Sequence, residues 1–245
     1  MRRKVFVQIP TNHPSGGIKV ANQLVNLFRE YGYESYIVLP HDLYQADWLI
    51  HPAPTINIAR MRELCESNDI VIDNWIDKNT INETKKLKAK IKVYYSQGCT
   101  FYRTKTLIGD EHLKSDLGYT HFWVVSNDSF KYLANKYPRI KKWYLVNPYF
   151  EFDIAKKILE KIKRENKILC LSRKGKMYIT LAKLFFDNRI KFNIVNTFTE
   201  RECYELMASH KFFLHTAVGV NKLSLIHISE PTRPLYISYA VFCLK

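Results

Sequence analysis

The sequence contains no long hydrophobic run, and this absence excludes one class of protein. Within its 245 residues no stretch of about 18 or more apolar residues occurs, so no transmembrane helix is expected. The short apolar stretch at the start is interrupted by Gln8 and stopped by Pro10, too early for a secretory signal. It is typical of a buried opening strand.

Cysteines are few, and several familiar catalytic motifs are missing. The five cysteines form no CxxC pair, so neither a metal site nor a disulfide framework is predicted, and a reducing cytoplasm is the natural compartment. The sequence also lacks HExxH, GxSxG, the P-loop and the GxGxxG fingerprint. A standard NAD site is therefore not expected.

Acidic residues are scarce relative to basic ones. Lys and Arg number 38 against 23 Asp and Glu, which gives a net charge of +15. This balance favours an anionic partner such as nucleic acid, a phosphorylated substrate or an anionic membrane leaflet. Codon bias is the alternative, because the abundant Lys, Asn, Ile, Tyr and Phe all have A/T-rich codons.

The last residues, Leu223–Lys245, resemble translated sequencing adapter DNA. Leu223–Arg233 can be read codon for codon as one end of a transposase adapter, and Ile237–Leu244 as the other end. A natural strand-rich tail is the alternative. We therefore restrict the fold prediction to residues 1–222, expect the gene to be cut off at Lys222, and expect the chain as written to be an inactive fragment.

Short β-rich runs alternate with longer helical patterns, which predicts parallel βαβ units and a doubly wound α/β fold. The pattern restarts near Lys167, so we predict two Rossmann-like domains: a first over 1–150, a linker helix over 151–166, and an incomplete second over 167–222. Strands are predicted at 5–9, 36–39, 70–73, 91–96, 121–126, 142–146, 167–172, 192–195 and 212–216. Helices are predicted at 18–31, 58–67, 79–90, 127–137, 154–166, 177–186 and 199–209.

Two glycines, Gly16 and Gly17, lie between the first predicted strand and the first predicted helix, close to His13. Ligands of doubly wound sheets bind at the carboxyl ends of the strands, and the free amides of a helix N-terminus favour phosphate there. A phosphate contact is therefore predicted. A tight turn that needs glycine geometry is the alternative.

Polar residues follow other predicted strands at the same edge. Arg173, Lys174 and Lys176 come directly after the strand 167–172 and suit phosphate by shape and charge, with a solvated basic turn as the alternative. Asn74, followed by Trp75, and Gln97 come after two earlier strands. Ordinary loop packing is the alternative for these.

A basic segment, Lys85–Lys92, carries five lysines in eight residues. It suits peripheral contact with an anionic membrane surface, and a solvated helix face is the alternative. No DNA- or RNA-reading motif is present, so no nucleic-acid partner is expected.

In their order and spacing, these motifs resemble a GT-B-fold glycosyltransferase of the group-1, family-4 type, nearest to bacterial enzymes that build surface polysaccharides. The resemblance covers most of residues 1–219. The matching segments are Ser15–Pro40, Val124–Pro138, Val146–Phe152, Ile168–Lys176 and Phe212–Gly219.

The resemblance implies a cytoplasmic hexosyl or deoxyhexosyl transferase, peripheral on the inner membrane face. It would use a nucleotide-diphosphate sugar and a glycan or lipid-linked acceptor, with no metal and no cofactor. The first domain would bind the acceptor and the second the donor. The implied diphosphate contacts are Gly16, Gly17, Arg173, Lys174 and Lys176, and the implied acceptor-side residues are His13, Asn74 and Gln97.

Two departures from the family pattern stand out. Many members have a histidine where this chain has Gln97, and a glutamine does not titrate, so a general-base role there is not expected. The family's paired glutamates, expected after Gly219, are missing. A sugar-nucleotide epimerase of the same fold, or a non-catalytic basic module that binds anionic polymer or membrane, are the alternative functions.

Overall fold

The structure is a computed structural model that describes residues 3–41, 45–74, 78–97, 118–136, 142–148, 152–171, 191–195 and 199–214. Its contacts divide the chain into two compact units. One comprises Met1–Asp47 and His51–Tyr149, and the other comprises Trp48–Ile50 and Phe150–Lys245. The predicted α/β class is confirmed, whereas the boundaries and roles predicted for two domains stay predictions.

The first unit is built on a seven-stranded parallel sheet. Its strands are β1 (Lys4–Gln8), β2 (Glu34–Leu39), β3 (Thr55–Asn57), β4 (Ile70–Asp73), β5 (Ile91–Ser96), β6 (His121–Val124) and β7 (Trp143–Leu145). They lie side by side in the order β3-β2-β1-β4-β5-β6-β7. The direction in which strands are added therefore reverses between β1 and β4, as in a doubly wound sheet.

Helices connect these strands. The described ones are α1 (Gly16–Glu30), α2 (Ile58–Leu64), α3 (Lys78–Lys86) and α4 (Asn127–Lys136). Helix α1 begins after Ser15, whose side-chain oxygen accepts a hydrogen bond from the Ile18 amide at 3.3 Å, a standard N-cap. It ends before Gly32, whose φ of 83° lies in the left-handed region that glycine adopts without steric cost.

Strand β1 lies in the centre of the sheet, and both of its faces are covered. Val5, Phe6 and Val7 are wholly buried, as expected for a parallel sheet with helices on both sides. On one face Phe6 belongs to a cluster that includes Met61 of α2 and Val71 of β4. This core fixes β1 and β4 as neighbours, and so places the ends of both strands together.

The structure departs most from the predicted elements at two places in this unit. The helix predicted over 79–90 ends at Lys86, because the chain then turns to bury Leu87 and Ala89 in the cluster around Phe6. Strand β3 was not predicted. It is three residues long, which is too short for an alternating pattern to reveal it. Its parallel pairing with β2 places it in the sheet.

The second unit contains a smaller parallel sheet. Its described elements are α5 (Phe152–Leu159), β8 (Glu165–Leu171), β9 (Lys191–Val195), α6 (Glu200–Ser209) and β10 (His210–Leu214), and the strand order is β10-β8-β9. The linker helix predicted to reach residue 166 is shorter, because Glu165 already belongs to β8. Helix α6 begins at a capping box in which Thr199 and Glu202 each accept the other's backbone amide, at 3.1 and 3.2 Å.

Some predicted features fall outside the described residues. These are Trp75, the helix 177–186, the basic residues Arg173, Lys174 and Lys176, and the tail Leu223–Lys245; all of them stay predictions. Among the helices that the structure does describe, none combines the length and the apolar character needed to cross a bilayer.

Candidate functional site

The candidate site lies at the carboxyl edge of the first sheet, where the order of strands reverses. The chain leaves β1 toward α1 on one side, and it leaves β4 toward α3 on the other. Connections that diverge in this way open a crevice beyond the strand ends, which is where doubly wound sheets bind ligands. Gly17, Asn74 and Gln97 all lie at this edge.

The first turn of α1 faces the crevice with a positive end. Gly16 and Gly17 begin the helix, and the first amides of a helix have no acceptor within it. Ser15 caps the Ile18 amide, and no acidic residue occupies the first turn, so nothing in that turn opposes a bound anion. The aligned peptide dipoles add a partial positive charge at this end.

Asn74 and Gln97 converge on the carbonyl oxygen of Gly17. The Asn74 side-chain amide donates to it at 3.0 Å, and the Gln97 amide at 3.4 Å. A Cβ atom built on Gly17 would lie 2.9 Å from Gln97 Oε1, closer than real contacts allow. The structure therefore brings together three of the residues selected from the sequence.

This geometry also decides why position 17 is a glycine. Among the described glycines, positive φ values occur at Gly32 and Gly118 and not at Gly17. Gly17 is therefore needed for the close approach of a neighbouring side chain, not for an unusual backbone conformation.

Asn74 is held from two sides. Its backbone amide donates to the carbonyl oxygen of Gln8 at 3.1 Å, and its side-chain amide donates to Gly17 as described above. Because Nδ2 must face that carbonyl, the orientation of the amide is fixed by its hydrogen bonds. Asn74 Oδ1 is buried and accepts no hydrogen bond within the described part of the chain.

A group of buried polar side chains lies directly beneath Asn74. Asp73, Thr84, Gln8 and Tyr119 are at most 4% exposed. Tyr119 donates its hydroxyl to the Asp73 carboxylate, and burial, followed by the nearby Asp73 charge, holds the pKa of Tyr119 well above its usual value. The hydroxyl therefore remains a donor throughout the ordinary pH range.

None of the members of this buried group is among the site residues predicted from the sequence, although the sequence carries a signal for two of them. Gln8 interrupts the apolar run of β1, and Asp73 ends the apolar run of β4. A polar residue at the end of a buried strand needs a partner, and two such residues on adjacent strands can supply partners to each other. Thr84 and Tyr119 carried no comparable signal, because their neighbours in space are distant in sequence.

His13, the remaining acceptor-side residue predicted from the sequence, is not part of the group formed by Gly17, Asn74 and Gln97. His13 is exposed, and its backbone amide donates to Thr11 Oγ1 at 3.2 Å; no hydrogen bond within the described ranges links it to Gly17, Asn74 or Gln97. The binding roles predicted for all these residues stay predictions.

The basic segment Lys85–Lys92 runs from the end of α3 into β5, and its lysines Lys88 and Lys90 lie at the amino edge of the sheet, directly before β5. Ile91 begins β5 and is paired with Ile70, which begins β4, so the preceding lysines are about 16 Å from the carboxyl edge at roughly 3.3 Å per strand residue. Within this segment Lys92 donates to the carbonyl oxygen of Lys85 at 3.1 Å, and burial lowers the pKa of Lys92. Lys88 and Lys90 therefore do not line the candidate site.

Several solved α-glucosyltransferase structures share this fold. One, in complex with UDP and a 13-mer DNA containing an HMU base, is 13% identical, has a TM-score of 0.59, and is matched over 87% of this chain and 72% of its own. A second structure, in complex with UDP, is 12% identical and has a TM-score of 0.58, and the match covers 87% of this chain and 73% of the other. A third structure, in complex with UDP-glucose and DNA containing an abasic site, is 14% identical and has a TM-score of 0.56. The match covers 86% of this chain and 71% of the other.

These structures correct one prediction and leave others open. No family model and no curated protein sequence matches this chain. The prediction that nucleic acid is excluded as a partner is wrong, because proteins of this fold bind DNA although the chain carries no standard DNA-reading motif. They offer no support for a glycan or lipid-linked acceptor. At this level of identity they show the fold, which is a GT-B-like glycosyltransferase fold.

Proposed function

We propose that this protein is a glycosyltransferase that takes a hexose from a nucleotide-diphosphate sugar. The observation that carries the proposal is the close packing of Gly17 against Asn74 and Gln97 at the first turn of α1. This turn presents amides that have no acceptor within the helix, at the point where the strand order reverses. The α-glucosyltransferases of the same fold contain UDP or UDP-glucose, which supports a nucleotide donor.

The chemistry requires stabilisation of the leaving group. When the bond between the sugar and the diphosphate breaks, negative charge develops on the diphosphate, and donors already in place lower the free energy of that transition state. The amides of Gly16 and Gly17 are such donors in the proposal. Arg173, Lys174 and Lys176 are proposed to add positive charge, as the sequence resemblance implies.

The acceptor is proposed to be a hydroxyl-bearing anionic molecule, and DNA is the first candidate. A net charge of +15 favours association with a polyanion, and four α-glucosyltransferase structures of this fold contain DNA. The narrower resemblance to family-4 enzymes stays part of the proposal and rests on motifs such as Ser15–Pro40.

Calorimetric titration with UDP, GDP and TDP, and with UDP-glucose, tests the donor part of the proposal. The protein should be expressed from the gene as found in its source DNA, because the origin of residues 223–245 stays a prediction. At least one nucleoside diphosphate should bind with a micromolar dissociation constant, and Arg173→Ala should weaken it about tenfold or more. Arg60→Ala, a change at an exposed arginine paired with Glu63 on α2, is the matched control.

The proposal fails if none of these nucleotides binds, or if Arg173→Ala and Arg60→Ala behave alike. Transfer is tested next with radiolabelled donor and DNA containing an HMU base or the unmodified sequence. Label that becomes resistant to phosphatase and migrates with the modified DNA supports the acceptor part. Label that remains in the free sugar nucleotide as a new sugar isomer indicates the epimerase alternative instead.

A further inference from the structure

Strand β4 has a buried carboxylate at each end. Asp69 precedes the strand and Asp73 is its last residue, and they are 2% and 0% exposed. At the amino edge Asp69 accepts the backbone amides of Lys4 and Glu66, both at 2.8 Å, and lies 3.7 Å from the Lys4 ammonium. These contacts fix the path of the chain as it enters β1 and β4.

Asp73 accepts hydrogen bonds from three side chains. Gln8 Nε2 donates to its Oδ1 at 2.6 Å, Thr84 Oγ1 donates to its Oδ2 at 2.6 Å, and the Tyr119 hydroxyl donates to the same Oδ2. Gln8 Nε2 also lies 2.8 Å from Thr84 Oγ1, which closes the network. The donors come from β1, from α3 and from the residues that precede β6, so one carboxylate ties three parts of the unit to the end of β4.

Asn74 connects the network to the candidate site. Asn74 follows Asp73 directly, and its backbone amide donates to Gln8, the residue whose side chain holds Asp73. Asn74 then donates to the Gly17 carbonyl oxygen. A displacement of the Asp73 carboxylate therefore moves Asn74, and with it the support of the first turn of α1.

Apolar side chains would cover this part of α3 at least as well, because buried ionic groups are often replaceable by hydrophobic ones without loss of stability. A network whose members are all hydrogen-bonded provides something else, namely one fixed arrangement of the elements it joins. Residues that hold binding groups in this way determine how well the groups are placed.

We infer that Asp73 is a positioning residue of the nucleotide-sugar site: through Gln8 and Asn74 it fixes the first turn of α1 for diphosphate binding. The inference rests on the proposed function. Asp69 provides the matched control, because it is an equally buried carboxylate at the other end of the same strand. Loss of either charge perturbs the fold, and only the loss at Asp73 reaches the site.

The experiment compares Asp73→Asn with Asp69→Asn in calorimetric titration with UDP, at a temperature where circular dichroism shows that both variants are folded. Asp73→Asn places an amide where three donors converge, so the dissociation constant for UDP should rise about tenfold, the usual scale for loss of an outer-shell partner. Asp69→Asn should change it less than about twofold, even if its melting temperature falls by a similar amount.

A milder variant protects the test against a misfolded Asp73→Asn. Tyr119→Phe removes one donor and keeps the ring, and it should raise the dissociation constant about threefold. The inference is overturned if Asp73→Asn and Asp69→Asn change UDP binding equally. If Asp73→Asn does not fold, an unchanged dissociation constant for UDP in Tyr119→Phe overturns it. If the unaltered protein binds no nucleotide, the proposed function fails first, and the inference fails with it.

Discussion

The two edges of the seven-stranded sheet each have a buried carboxylate, and the two carboxylates have different hydrogen-bond partners. At the amino edge Asp69 accepts the backbone amides of Lys4 and Glu66 and lies near the Lys4 ammonium. At the carboxyl edge Asp73 accepts hydrogen bonds from the side chains of Gln8, Thr84 and Tyr119. Backbone contacts fix where the chain runs, whereas side-chain contacts fix how separate elements meet. The second kind of constraint is the one that a binding site requires.

The largest expected effect is on stability and contrasts the two carboxylates directly. Asp73→Ala should lower the free energy of unfolding by about 4 kcal/mol, because three buried donors lose their acceptor together. Asp69→Ala should cost about 2 kcal/mol, since water can replace the acceptor for part-buried amides. Urea unfolding curves of both variants measure this difference, and a larger cost at Asp69 would break the contrast between the edges.

The second effect concerns Gly17. In Gly17→Ala the new methyl group meets the far end of the Gln97 side chain, which can move, so the unfolding free energy should change by less than about 1 kcal/mol. Displacement of the Gln97 side-chain amide should nevertheless weaken UDP binding about tenfold. The double variant Gly17→Ala/Gln97→Ala removes the clash. Equal dissociation constants for Gly17→Ala and the unaltered protein would show that the packing at Gly17 does not matter for binding.

A third prediction tests whether the amino edge is independent of the site. Lys88 and Lys90 are exposed and lie about 16 Å from the carboxyl edge, about two Debye lengths at physiological salt. Replacing both with glutamate should change the dissociation constant for UDP by less than about twofold at 150 mM salt. A larger change in calorimetry would mean that these lysines contribute to the site after all.

The smallest effect is a pH dependence at the amino edge. His121 begins β6 and stacks on Tyr144, with ring centroids 5.9 Å apart, and burial, followed by the Lys142 charge, lowers the pKa of His121. Between that lowered value and the unfolded value of about 6.5, the unfolded chain binds more protons, so stability is lost as the pH falls through this range. His121→Phe keeps the stacking and removes the titration.

Unfolding midpoints measured from pH 7.5 to 5 should therefore fall more steeply for the unaltered protein than for His121→Phe. The carboxylates that titrate at lower pH are the same in both proteins, so they cancel in the difference. Parallel curves would show that His121 titrates equally in the folded and unfolded states.

Local patterns were sufficient to predict much of the fold. The bounds predicted for β4 and β5 are those observed, because each is a short apolar run with polar residues on both sides. The end of α3 was missed, because burial of Leu87 and Ala89 depends on Phe6 and Val71, which are distant in sequence. Local propensity does not contain that information.

The candidate site was partly predictable for a related reason. Position at the end of a strand was enough to select Asn74, Gln97 and Gly17, because parallel strands bring their carboxyl ends to one edge. The acceptor that the two amides share, the carbonyl oxygen of Gly17, could not be predicted, since it depends on the exact height of α1 above the sheet.

The buried network around Asp73 restricts how this sequence can change. Gln8, Asp73, Thr84 and Tyr119 form hydrogen bonds with one another. An apolar substitution at any one of them therefore leaves a buried polar partner without that hydrogen bond, which costs free energy of desolvation. Simultaneous replacement of all four avoids that cost, yet the single steps toward it are each unfavourable. The four residues are therefore expected to be inherited as a unit, and a redesign of this protein should exchange them together or leave them alone.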